Sequence, residues 1–458
     1  MTSHENPRAP QAARPLSERD PRVTRLLLDL WAQTRADWGF VTTRLAQAFR
    51  EARFLHSRDR RDVAEAMYGM VRRVRAIDRA LERAGAPSPP ALPTGEPTPA
   101  RALHELLAYE LLTGATEVAA ARARGGADVG WEAVLAPDEG AESGEAALGV
   151  AQGLPDWLAA RFLATFGDDA EAVAAALNER APLTLRANRL KTGRDALRER
   201  LLAEGVPTEP TRWASDGLTS EPRLNMFGLR SFRDGLFEVQ DEASQLVAEL
   251  TAPPPRGLVV DACAGAGGKT LALGALMGNK GRVVSLDVSG RKLVELRKRA
   301  RRAGLSNHQA LEIGEDGPLP AEVARLAGKV DRVLVDAPCS GIGALRRNPE
   351  ARWRLDPAFA AALPETQAAI ALRMLPLVKP GGRLVYATCT ILPEENEEVV
   401  ARILAEAPVP LERIAVAEIL GRKKAEEIVT ADGFAIATRP DRHGMDGFFA
   451  TALRVPKG

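Results

Sequence analysis

Two of the three cysteines in this 458-residue chain stand directly after apolar runs of β-strand character. Asp331 to Val335 leads into Asp336-Ala337-Pro338-Cys339-Ser340, and Arg383 to Tyr386 leads into Thr388-Cys389-Thr390. A lone cysteine is most often a small, buried apolar residue. Cys339, however, follows a proline that fixes the local backbone, and each thiol ends a strand instead of lying inside one. Ligands and catalytic groups of an open α/β sheet gather outside the carboxyl ends of its strands. Both thiols are therefore expected to look into one crevice, and a thiol exposed there is placed as a nucleophile.

The co-substrate is suggested by an earlier strand. Leu258-Val259-Val260 runs into Asp261-Ala262-Cys263-Ala264-Gly265-Ala266-Gly267-Gly268-Lys269-Thr270, and a helix is expected from Leu271 to Leu276. A glycine-rich turn between strand and helix lets backbone N–H groups approach a ligand closely. A phosphate-binding P-loop would need glycine where Cys263 stands. A dinucleotide fingerprint begun at Gly265 would need glycine where Thr270 stands. S-adenosylmethionine, which has an adenosine but no phosphate, remains. It predicts a carboxylate for the ribose hydroxyls at the end of the next strand, Arg282 to Leu286, and Asp287 ends that strand at the expected spacing. Asp287 also suits the N-cap of the helix expected over Gly290 to Ala303. Asp316, in the turn after a weak strand at Ala310 to Ile313, is a third acidic candidate, with Glu312 and Glu315 competing for the role.

With these motifs the chain resembles the ribosomal RNA small-subunit methyltransferase B type of RNA cytosine-C5 methyltransferase, a family with eukaryotic nucleolar and tRNA members. The resemblance is carried by Asp261 to Thr270, Asp287, Asp336 to Ser340, Tyr386 to Asn396, Val239 to Gln245 and Asp446-Gly447-Phe448-Phe449. It extends from about Leu183 to Leu453. The family often has Ala-Pro-Gly-Gly where Gly265-Ala266-Gly267-Gly268 stands here, and serine in place of Thr390; neither change removes a reactive group.

The resemblance implies S-adenosylmethionine-dependent methylation of cytosine C5 in RNA, with small-subunit ribosomal RNA or an assembly intermediate as partner. Carbon five is a poor nucleophile until a thiolate adds at carbon six. Cys389 is implied as that nucleophile, and Cys339 as the residue that acts as, or positions, the base removing the C5 proton. Asp336 is implied to hold the cytosine edge, and its place at a strand end equally suits a cofactor contact. Cys263, Ala264, Gly265, Ala266, Gly267, Gly268, Lys269, Asp287, Asp316 and Asp336 make up the implied cofactor site. Lys269 is given support of the loop and no chemistry, and Cys263 packs beneath the turn. Glu394, Glu395 and Asn396 are expected to open the next helix, where acidic residues suit the dipole.

The positioning elements must come from three expected domains. Residues 23–145 read as an all-α domain, with Val63, Met67, Val71, Ile77 and Leu81 at helical spacing. The phrase Phe54 to Arg61 with Tyr68-Gly69 is similar to the RNA-binding domain of the antitermination factor NusB; a generic helical bundle with solvated arginines is the alternative. Residues 154–230 resemble the small α/β extension that helps hold RNA in this family, with Arg186 and Asn188 matching its signature. Residues 231–458 are the Rossmann-like methyltransferase domain, so the fold class is α/β. Met1 to Asp20 is polar and proline-rich, and residues 1–22 are expected to be a disordered tail without a signal peptide's apolar core. Ala84 to Ala100 reads as a loop and Asp138 to Gly153 as an interdomain connection.

A formal charge of +1 neither demands nor excludes a polyanionic partner. No apolar run approaches a membrane span, no cysteine–histidine cluster has zinc-site spacing, and three cysteines without a leader favour a reducing cytoplasm. A monomer without metal or membrane is expected. Arginine-rich stretches occur at 291–302 and at Arg346, Arg347, Arg352 and Arg354. The second adjoins Cys339, and an arginine beside Trp353 suits a phosphate while the ring stacks on a base. Rival readings are transfer to tRNA, to large-subunit RNA or to DNA, and a non-catalytic RNA-binding assembly factor; the DNA enzymes attack with the cysteine after proline, and a binding module has no need of two thiols.

Overall fold

In the computed structural model of the chain, which describes residues 15–87, 98–137, 143–220 and 225–457, Val63, Met67, Val71, Ile77 and Leu81 share the buried side of one helix, Ser57–Arg83. Helices Pro21–Asp37, Val41–Glu51 and Pro99–Leu112 are further elements of the same helical unit. That unit comprises residues 1–178 together with 347–356. Its core holds a buried polar network. Arg101 donates to Asp78 Oδ1 at 3.0 Å and to Glu105 Oε1 at 3.1 Å, and the Trp31 indole donates to Glu105 Oε2 at 2.6 Å. Burial pushes the Asp78 carboxyl up to about 6, against the pull of Arg35 and Arg101.

Several expected boundaries move. The supposed tail is folded from Leu16, in a 3-10 turn at Leu16–Glu18, and Pro21 opens the first helix beneath an Asp20 N-cap; residues 1–14 lie outside the described residues. Pro99 begins a helix inside the expected loop, and Glu145–Gln152 is helical inside the expected connection; residues 88–97 and 138–142 also lie outside the described residues. Helices Asp156–Phe166 and Ala170–Asn178 lie within the expected α/β extension and by their contacts group with the helical unit.

The arginine-rich stretch after Cys339 is corrected most sharply. Trp353 is 3% exposed, packs on Trp38 with ring centroids 5.5 Å apart and donates its indole N–H to the Val71 carbonyl at 3.1 Å. Arg352 is fully buried and donates to the Gln152 and Gly153 carbonyls and to Asn178 Oδ1 at 3.1, 3.2 and 2.8 Å. Apolar burial of the indole and complete desolvation of the guanidinium leave neither side chain a face for RNA. Arg354 is exposed but lies over the Phe40 ring, 4.0 Å from its centroid.

The second unit, residues 179–346 with 357–458, contains two sheets. Strands β1 (Leu183–Ala187), β2 (Glu209–Pro210), β3 (Gly217–Ser220) and β4 (Phe237–Val239) form an antiparallel sheet in the order β2-β3-β1-β4. Alternation sends Leu185, Ala187, Leu218 and Phe237 into a core with Leu197 and Leu201 of helix Arg194–Ala203. Thr184 and Thr219, which pair across the strands, lie on the opposite face.

The larger sheet is built from β5 (Leu258–Asp261), β6 (Arg282–Asp287), β7 (His308–Glu312), β8 (Val330–Asp336), β9 (Val378–Thr388), β10 (Glu412–Ile414), β11 (Ala435–Thr438) and β12 (Phe448–Arg454). Its order is β10-β12-β9-β8-β5-β6-β7, with β11 paired to β12. Strands β5 to β9 run parallel and β12 is antiparallel to β9. The middle of these parallel strands is apolar and buried, at Val259-Val260, Val283-Val284 and Val333-Leu334-Val335, as burial on both faces requires. Strand order reverses at β5, which lies between β8 and β6. The crevice at the carboxyl ends of β5, β6, β8 and β9 is therefore the binding position the topology dictates. Among the described residues no helix is long and apolar enough to cross a membrane.

Candidate active site

Register brings the two thiols together. Asp336, the last residue of β8, pairs with Ala387 of β9, so the loops carrying Cys339 and Cys389 leave the sheet side by side. Cys339 Sγ lies 3.3 Å from Cys389 Sγ, and the Cys389 backbone N–H points at Cys339 Sγ at 3.4 Å. Both residues are half-buried. The Cys389 contact, burial and the Glu395 charge all push the Cys339 thiol well up. Cys339 therefore keeps its proton and is the donor of the sulfur pair.

A buried carboxylate that the sequence reading set aside clamps the two loops. Glu395 was expected to open the next helix, but it ends a 3-10 turn, Pro393–Glu395, and the helix starts at Glu397. Glu395 is 1% exposed; its Oε2 accepts from Ser340 N and from Gln367 Nε2, each at 2.9 Å, and its Oε1 accepts from the Ser340 hydroxyl. Ser340 Oγ also lies 3.0 Å from Thr390 Oγ1, whose hydroxyl can donate to it, and Gln367 Nε2 reaches the Pro338 carbonyl at 3.0 Å. Each cysteine thus has a neighbour tied into one network. Glu395→Gln keeps the size but sets an amide NH2 against donors. Leaving buried donors unmet costs about 1–3 kcal/mol, which for a domain of this size lowers Tm by about 2–4 °C for each kcal/mol. A thermal melt and single-turnover methylation check this: the variant should be less stable and about 10- to 100-fold slower, and wild-type values for both would remove the clamp.

Behind the thiols, Gly343 N donates to the Cys389 carbonyl at 3.0 Å, and Gly447 N donates to the Gly343 carbonyl at 2.9 Å. A Cβ at Gly343 would sit 2.0 Å from the Gly447 oxygen, so only glycine permits this approach. Arg346, expected to contact RNA, is instead buried, donating to Asp446 Oδ1 at 2.6 Å and to the Gly444 carbonyl at 2.8 Å. It fixes the Asp446 to Phe449 segment beside the crevice.

The glycine-rich turn stands at the switch point. Gly265 and Gly267 have φ of 55° and 88°, and a Cβ at Gly265 would meet nothing within 4 Å. The turn is thus open in front, as close approach of a ligand requires. Asp287 Oδ2 accepts from Gly265 N and Oδ1 from Ser289 N, each at 2.8 Å. A carboxylate offers about four lone-pair sites, so two remain for a pair of ribose hydroxyls. No phosphate-binding set accompanies the turn, because Lys269 is turned away into an ion pair. Its Nζ lies 2.6 Å from Asp336 Oδ2 and 5.2 Å from the centre of the Phe448 ring. Burial disfavours the ammonium, but Asp336 outweighs it and raises the Lys269 pKa. The donor set fits an adenosine ligand without phosphates.

Two further cofactor-site expectations divide. Cys263 is half-buried, and burial with the charges of Asp336, Asp261 and Asp287 pushes its thiol up, so it is unreactive. Asp316 is exposed in the turn after β7. Lys269 and Glu395 are the residues that sequence reading undervalued. A lysine directly after a glycine turn, facing a strand-end aspartate, was the available signal for the first. Among the described residues no group of three or more histidine, cysteine or acidic side chains is placed to hold a metal.

Comparison with known proteins points the same way. The family of the 16S rRNA methyltransferase RsmB/F matches residues 248–454, and the ferredoxin-like domain of the RsmF/B-like methyltransferases matches residues 154–225. The chain is similar to the probable ribosomal RNA small subunit methyltransferase B of Synechocystis, 33% identical over 86% of this chain and 91% of that protein. It is similar to the Bacillus subtilis protein of that description, 34% identical over 66% of each. The crystal structure of PH0851 superposes with a TM-score of 0.77 over 95% of this chain and 99% of that one, at 23% identity. A methyltransferase homologue from Pyrococcus horikoshii gives a TM-score of 0.52 at 27% identity, over 66% of this chain and 95% of that one.

Proposed function

The chain belongs to the 16S rRNA methyltransferase RsmB/F family, and from that premise we propose that it methylates carbon five of a cytosine in small-subunit ribosomal RNA, using S-adenosylmethionine and a transient bond to Cys389. The observation that carries the reading is the 3.3 Å approach of two thiols at the carboxyl ends of adjacent parallel strands. A binding module would have no use for it.

S-adenosylmethionine supplies an electrophilic methyl group. It would be held by the open turn Cys263 to Gly268 and by the free lone pairs of Asp287, with Asp336 at the border with the base. The rest of the chemistry belongs to the chain. Cys389 sulfur adds to C6 of the cytosine, the ring gains enamine character, and C5 takes the methyl group. A base then removes the C5 proton, the electron pair re-forms the C5–C6 double bond, and the C6–S bond breaks to release Cys389 as thiolate. Asp336 Oδ2 is held by Lys269, which leaves Oδ1 for the cytosine edge.

The order of events follows from the sulfur pair. In the free site, contact with Cys389 keeps the Cys339 proton on. Once Cys389 is a neutral thioether, that contact and its charge disappear, and Cys339 becomes easier to ionise just when a base is needed. A base stacked in an RNA helix cannot reach the crevice, and exposing it costs a few kcal/mol. Single-stranded segments of 16S rRNA are accordingly the expected substrate. Bisulfite sequencing of 16S rRNA from cells with and without the gene tests this: one cytosine protected only when the protein is present is the expected result. An unchanged bisulfite pattern in 16S rRNA would overturn the reading.

A further inference from the structure

A recess lies where the small sheet meets the segment 442–445. Its volume is ≈ 290 Å³, and its walls include Thr184, Thr219, Arg212, Trp213, Arg442 and His443. The size falls near the lower end of the range for small-ligand sites, about 300–1,000 Å³. Thr184 and Thr219 are cross-strand partners, so their side chains stand together on one face. Thr184 is 3% exposed, and both threonines line the recess. A hydroxyl both donates and accepts, and their position on the recess wall lets a polar group that enters the recess meet them.

The rim is cationic. The Arg212 and Arg442 side chains are 65% and 60% exposed. Arg212 lies flat over the Trp213 ring, 4.9 Å from its centroid, and pairs with Glu427 at 2.6 Å; Arg442 lies 4.0 Å from Asp441. The Trp213 indole and the His443 ring meet edge to face at 5.8 Å, which makes the wall rigid. The acidic residue inside the wall, Glu242, has its Oε1 turned to backbone donors, accepting from Trp213 N at 2.6 Å and Ala214 N at 2.8 Å. The recess wall is also tied to the backbone of the reacting centre. Its Gly444 carbonyl is held by Arg346, Met445 precedes Asp446 and Gly447, and the Gly447–Gly343–Cys389 backbone bonds complete the link.

We propose that this recess is a subsite for a nucleotide of the RNA strand flanking the target cytosine, with Arg212 and Arg442 meeting phosphate oxygens and the Thr184 and Thr219 hydroxyls meeting the ribose. The proposal rests on the RNA-methylating reading above. A single strand is what such a recess suits, since arginine beside a hydroxylated floor reads backbone and not sequence. The 2′-hydroxyl, both donor and acceptor, is the group through which threonine hydroxyls distinguish RNA from DNA.

The test uses the full chain, a fluorescent single-stranded RNA 12-mer and its 2′-deoxy counterpart, with binding read by anisotropy across a salt series. Arg212→Ala with Arg442→Ala is expected to raise the RNA Kd by about tenfold and to lower the salt slope by about 1.4, the contribution of two phosphate contacts on a single strand. Thr184→Val with Thr219→Val, which preserves shape, is expected to cut the preference for RNA over DNA by about fivefold, as loss of one to two hydrogen bonds would. Thermal melts establish that each variant is folded, and Arg212→Lys with Arg442→Lys, which keeps the charge, should restore most of the slope if a pair fails to fold. Wild-type Kd, slope and RNA preference in the folded variants would overturn the subsite. The activity is judged separately, on the wild-type chain. If it transfers no methyl group to 16S rRNA although RNA binding still depends on the recess, the methylation reading falls and the subsite stands.

Discussion

Replacing Cys389 by serine is expected to slow methyl transfer by at least ~10³-fold, because the adduct at C6 needs a nucleophile that is partly ionised near neutral pH. A thiol with an ordinary pKa is a few per cent thiolate there, whereas an alcohol is essentially un-ionised and needs a general base. None is at hand: among the described residues no imidazole is hydrogen-bonded to Cys389, whose sulfur pairs with that of Cys339. The oxygen is also smaller than the sulfur and stands further from the ring carbon. Folding should be unaffected, since the Cys389 carbonyl, and not its side chain, holds Gly343. Transfer of labelled methyl groups to unmethylated 16S rRNA measures the loss, with RNA binding as the control. Activity within about tenfold of wild type would show that the covalent route is not the one used.

How far the site could be read from the sequence depended on how regular the surrounding backbone is. Strands ending at Asp261, Asp287, Asp336 and Thr388 were legible because short apolar runs bounded by turn residues leave few alternatives. With the strands fixed, the crevice followed, and with it the meeting of Cys339 and Cys389. Glu395 was misjudged at an irregular point. The 3-10 turn that carries it faces inward, and neither helix periodicity nor the dipole argument applies to a residue two places before the helix begins. Arg346 and Arg352 were misjudged for another reason: composition counts charges but does not reveal whether a buried partner waits for them. Asp446 does so for Arg346, and backbone carbonyls with Asn178 do so for Arg352. Trp353, read as a stacking platform, is core of the helical unit. The recess beside Thr184 could not be foreseen, because residues near 184, 212 and 442 come together only in the tertiary fold.

Replacing Cys339 by alanine should have the opposite signature to loss of Cys389: the protein should become fixed to its RNA. Addition and methyl transfer need only Cys389, so the first half of the turnover proceeds. Release needs the C5 proton to leave, and the sulfur best placed for that, 3.3 Å from the nucleophile, is gone. Water alone is a poor substitute in a half-buried site, so the adduct should accumulate to about one RNA per protein. A denaturing gel resolves it as a band that survives heat and detergent, and only with S-adenosylmethionine and RNA both present. The double variant Cys339→Ala with Cys389→Ala should show no such band, which separates the adduct from adventitious cross-linking. Alanine removes the Ser340 neighbour's sulfur but none of the Glu395 bonds, so the loop itself should hold its place. If the single variant instead releases fully methylated RNA at a rate near wild type, another group must take the proton, and Asp336, at the end of the same strand, is the first to examine. A trapped complex would fix the division of labour between two sulfurs that the free site presents as near equals, since only one of them can be the atom left bonded to the ring.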